Sequence, residues 1–62
     1  MRIQEINISK NFLDSIEILN KLHRLRSINA GDNYLDKVSL NLTKLQVLDL
    51  RNNFLTSVPI IN

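Results

Sequence analysis

The chain has little with which to do covalent chemistry. His23 is its only histidine and it has no cysteine. A Ser/His/Asp set cannot be built with assurance from one histidine, and a cysteine nucleophile or Cys-rich zinc site is excluded. His23 has no second ligand candidate near it and reads as a solvated residue closing a helical turn. Asp14 and Glu17 share one turn, where carboxylates complement the positive end of a helix. Gly31 is the only glycine, so no phosphate-cradling loop exists. The expectation is no enzyme, with no catalytic residue, metal or cofactor. The chemistry that remains is hydrogen bonding. Asn11, Asn33 and Asn53 recur at intervals of 22 and 20 residues. An asparagine amide carries two donors and a carbonyl acceptor, so it can satisfy backbone groups stranded in a sharp bend.

The elements that must hold these amides are visible in three aligned stretches: IQEINISKNFL (Ile3–Leu13), LRSINAGDNYL (Leu25–Leu35) and LQVLDLRNNFL (Leu45–Leu55). Each puts apolar residues two apart before the asparagine, as a short strand with one buried face requires. Ile6 and Ile8, Ile28 and Ala30, and Leu48 and Leu50 fall on that face. Such a strand cannot bury its face alone and needs the next one beside it at about 4.8 Å. The first strand is expected near Glu5–Ile8. Ala30 is small and Gly31 weakens a strand, so the middle stretch is expected to be the least rigid.

The return segments differ. After Leu13, Asp14 or Ser15 can cap a short helical segment, and Ile16, Leu19 and Leu22 at spacing three suit a 3-10 or short α turn, with Ile18 off the buried face. After Leu35, Val38, Leu40 and Leu42 alternate, which predicts an extended path. After Leu55, aligning the second and third stretches places Ile60 opposite Leu40.

Leu45–Leu55 matches the pattern L-x-x-L-x-L-x-x-N-x-L at every position, and this resembles the leucine-rich-repeat family. The resemblance runs from Ile3 to Pro59. The first repeat is similar to the 22-residue intracellular class, and Val58-Pro59 resembles the class with a Leu-Pro step. The resemblance implies an α/β solenoid: three stacked repeats (3–24, 25–44 and a truncated 45–62), a parallel sheet on the concave face, and short helical or irregular convex segments. It also implies protein partners and no catalytic residue. No cap is visible over either end, so self-association through open ends is expected.

The outward strand positions would then be the binding face: Glu5, Asn7, Ser9 and Lys10, then Ser27, Asn29, Gly31 and Asp32, then Val47, Asp49, Arg51 and Asn52. Phe12, Tyr34 and Phe54, the only aromatics, share one register beside the asparagines and should line one edge. They would either contact a partner or shield the asparagine ladder. The net charge of +2 is spread along the chain, which fits a protein partner better than nucleic acid or a membrane. No apolar run approaches the ~18 residues of a membrane helix, and no signal-peptide core is present. The absence of cysteine-stapled caps points to an intracellular compartment. The sequons at Asn7 and Asn41 are what chance supplies in an asparagine-rich chain. The alternative function is a dissected or engineered solenoid fragment whose main property is folding and self-assembly.

Overall fold

The computed structural model describes residues 3–62. Three short strands, β1 (Glu5–Asn7), β2 (Ser27–Asn29) and β4 (Val47–Asp49), form a parallel sheet in the order β1-β2-β4. Ile6 sits opposite Ile28 and Ile28 opposite Leu48, so the apolar position is in register across the sheet. Parallel neighbours need a crossover, and the two crossovers here are the return segments. The second crossover carries β3 (Ser39–Leu40), which pairs with β5 (Ile60–Ile61) of the segment beyond β4 as a second parallel sheet.

The core lies between the two sheets and is centred on the middle stretch. Leu25, Ile28, Ala30, Leu35 and Leu40 are wholly buried, and Ile16, Leu19, Val38 and Leu42 close around them. Leucines and isoleucines of the first and third stretches pack against this cluster from either side and stay half-buried. The middle stretch, with Ala30 and Gly31, is therefore the best covered of the three.

The two return segments differ from each other as the spacing of their apolar residues predicts. The first holds one 3-10 helix, Glu17–Lys21, with Ile16 and Leu19 buried and Ile18 exposed. No α-helix occurs among the described residues. Spacing-three apolar residues over two short turns give a 3-10 helix because each side chain returns to the same face. Asp14 does not cap it. The Ser15 hydroxyl accepts a long 3.4 Å bond from the Glu17 N–H, and Ile16 occupies the cap position. The second return is extended, as the alternation of Val38, Leu40 and Leu42 requires.

The last return corrects the alignment by one residue. Leu40 pairs with Ile61 and Ser39 with Ile60. A shift of one residue reverses which face a side chain occupies. Val58 is 86% exposed whereas Val38 is 4% exposed, and Pro59 is the half-buried residue. Pro59 has no N–H to donate, and the ladder resumes after it, where the Ile60 N–H donates to the Val38 carbonyl at 2.8 Å.

Candidate functional site

The asparagines are placed by the bend after each strand. Asn33 is 3% exposed and all its polar atoms are used. Its Oδ1 accepts from the N–H groups of Asn11 and Leu13, both at 3.1 Å. Its Nδ2 donates to the carbonyls of Ile8 (3.0 Å), Ala30 (3.1 Å) and Gly31 (3.1 Å). Asn53 repeats this one stretch later: Oδ1 accepts from Leu35, and Nδ2 donates to Ala30, Leu50 and Arg51. Among the described residues the Asn11 side chain bonds only the carbonyls of its own bend, Ile8 and Ser9. Asn33 and Asn53 thus reach back to the preceding stretch, never forward. Asn53 makes long-range bonds to the Leu35 N–H and the Ala30 carbonyl, and among the described residues the Asn11 side chain makes none.

The residue before each of these asparagines is left-handed. Lys10, Asp32 and Asn52 have φ of 57°, 57° and 58°. Asp and Asn tolerate this region and lysine does so less readily. Their shared register made the position findable; the backbone reversal itself carries no residue signature at Lys10.

The outer face of the sheet is built from rows in register. Glu5, Ser27 and Val47 form one and Asn7, Asn29 and Asp49 the next. The second row is occupied with its own backbone. Asn7 Oδ1 accepts from the Ser9 N–H at 3.1 Å, Asn29 Oδ1 from Gly31 at 3.2 Å, and Asp49 Oδ1 from Arg51 at 3.1 Å. Asp49 also pairs with the Arg51 guanidinium at 3.0 Å. The Arg51 backbone N–H and then its side chain hold the Asp49 carboxyl below its ordinary pKa. Gly31, expected to face outward, is buried. A Cβ there would lie 3.3 Å from Arg51 Cγ and 3.4 Å from its carbonyl oxygen. Lys10 and Arg51 are exposed beside a shallow depression that Asn29, Asp32 and Asp49 also line. Asp32 accepts from Asn52 Nδ2 at 2.9 Å.

The three rings stand together at the edge where the strands end. Phe12 and Tyr34 stack with centroids 5.9 Å apart and planes 12° apart; Tyr34 and Phe54 do so at 5.6 Å and 5°. They are 85%, 49% and 63% exposed.

No family model matches this chain, and no solved structure matches it. Its candidate site therefore rests on geometry alone. Among the described residues no group of three side chains could hold a metal ion, and no helix is long and apolar enough to cross a membrane. Two features escaped sequence reasoning. A second depression at the strand starts lies between Gln4, Glu5, Arg26, Ser27, Gln46 and Val47; the long polar side chains of Gln4, Arg26 and Gln46 follow the first apolar slot of each stretch, and that common position was the available signal. The other is Asn20, whose Nδ2 donates to the Ser39 carbonyl at 3.2 Å and whose Oδ1 accepts from the Asn41 N–H at 2.8 Å.

Proposed function

We propose that this chain is a short leucine-rich-repeat solenoid that acts as a protein-binding module, with the outer face of its three-stranded sheet and its aromatic edge as the contact surface. The observation that carries the reading is the row of Phe12, Tyr34 and Phe54, three large apolar side chains held parallel and open to solvent on a small chain. Aromatic side chains bury much area with few rotatable bonds and are enriched at binding hot spots. The polar positions of the outer face, Glu5, Lys10, Asp32 and Arg51, are exposed and mixed in sign, which suits a specific protein surface better than a phosphate backbone. Asn7, Asn29 and Asp49 contribute less, because one oxygen of each is committed to its own bend.

The test is a random-peptide display selection on the folded chain, with binding of the selected peptides mapped by amide chemical shifts. The reading expects shifts concentrated at Phe12, Tyr34, Phe54 and the neighbouring strand positions. It also expects Tyr34→Ala to weaken binding at least tenfold while the chain stays folded. Tyr34→Ala that lowers stability but leaves affinity intact would assign the rings to shielding the asparagines, and the contact surface would be lost.

A further inference from the structure

We propose that the two ends of the molecule are complementary, and that a second copy of this chain seats its β1 end on the β4–β5 end of the first. The inference comes from the ladders and stands whether or not the outer face binds another protein.

In parallel strands the groups facing one neighbour alternate with those facing the other. The Gln4 carbonyl and the Ile8 N–H face β2, so Glu5 and Asn7 direct theirs away from it. The Val47 N–H and the Asp49 carbonyl also face β2, so Leu48 and Leu50 direct theirs to the opposite end. Among the described residues, the N–H groups of Leu50, Asn52 and Leu55 have no acceptor, and Asn11 Oδ1 has no donor.

The bonds already present between neighbouring stretches supply the template. Ala30 N–H donates to Asp49 and Ile8 N–H to Asn29, so Leu50 N–H has its counterpart acceptor in the Asn7 carbonyl of the next copy. Lys10 N–H donates to Gly31 and Asp32 N–H to Arg51, so Asn52 N–H matches the Ser9 carbonyl. Asn33 Oδ1 accepts from Leu13 and Asn53 Oδ1 from Leu35, so Asn11 Oδ1 matches the Leu55 N–H. The side chains agree with the backbone. Ile3, Ile6 and Ile8 are half-buried at one end and Leu48, Leu50 and Leu55 at the other. The open face of Phe54 would take the open face of Phe12 and continue the ring row.

Because the joining surfaces differ, the contact is head-to-tail and does not close on a pair. Sedimentation of the whole chain from micromolar to millimolar concentration should show mass rising without a plateau at two copies. Glu5→Pro removes an outward N–H at the β1 end. Ile61→Lys puts a charge over Leu40 at the other end, where Ile61 is already 45% exposed. Each variant alone should remain monomeric, and their mixture should form a one-to-one dimer. Circular dichroism checks that both are folded, and Ile3→Lys replaces Glu5→Pro if that variant is not. A wild-type chain that stays monomeric throughout overturns the proposal. So does a two-copy plateau that either single variant still reaches, which would mean like ends meet.

Discussion

At the scale of single residues, the backward reach of the amides ranks three chemically identical side chains. Asn33 is buried and bonds two stretches, Asn53 is half-buried and bonds two, and Asn11 is exposed and bonds one. Truncation to alanine should therefore cost about 1–3 kcal/mol at Asn33, less at Asn53 and least at Asn11, because only buried groups lose the full value of a partner. Urea unfolding of the three variants checks the order; Asn11→Ala as costly as Asn33→Ala would refute it. Lys10 is left-handed where Asp32 and Asn52 hold the equivalent places. Lys10→Asn should stabilise by about 0.5–1 kcal/mol through relief of that conformation, read as a higher urea midpoint. Asp49 titrates below its ordinary range in the folded chain because Arg51 stabilises the carboxylate. Its contribution is thus fully present above the unfolded-state value near about pH 4 and is lost as pH falls through the lower folded value. Asp49→Asn keeps an oxygen for the Arg51 N–H, as Asn7 and Asn29 do for their bends, and should flatten that part of the acid-unfolding curve.

Among the elements, the sheet of β1, β2 and β4 was legible in the sequence because its signal is local: apolar residues two apart, repeated in one register. The 3-10 helix was legible from Ile16, Leu19 and Leu22 for the same reason. The pairing of β3 with β5 was not. It joins residues 21 apart through the backbone, and the spacing of 20 set by Asn33 and Asn53 gave the wrong partner for Leu40. The extra residue is absorbed around Val58, whose exposure is the trace of that slip. Asn20 was invisible because nothing in its neighbourhood marks an amide that imitates a strand. It bonds the β3 edge that β5 leaves free. Asn20→Ala should cost about 1 kcal/mol and speed hydrogen exchange at the Asn41 amide. Protection at Asn41 equal to the parent chain would show that the bond contributes nothing.

Taken whole, the molecule concentrates its burial in one place. A chain of this length has a stability of order 3–9 kcal/mol by the usual per-residue range. Leu35 is wholly buried at the centre, and leucine-to-alanine changes at such sites cost about 2–5 kcal/mol. Leu35→Ala should therefore remove a large part of that stability, seen as a marked fall in the melting midpoint, whereas Leu55→Ala at the half-buried end should lower it less. On the candidate site, the sequence located the rings correctly in one register but could not say whether they touch. Register fixes neighbouring backbones, while ring contact depends on rotamers. Their stacking contributes roughly 0.5–1.5 kcal/mol per pair by the usual value, and Tyr34 takes part in both pairs.

The one-way reach of the asparagines also bears on how the chain is made. Residues 25–33 are already synthesised before residue 53 leaves the ribosome, and the Leu35 N–H and Ala30 carbonyl wait on the Asn53 amide. The Asn11 and Leu13 N–H groups wait in the same way on Asn33. During translation each arriving stretch therefore fastens the one before it, and the most recently made stretch is always the one left unfastened.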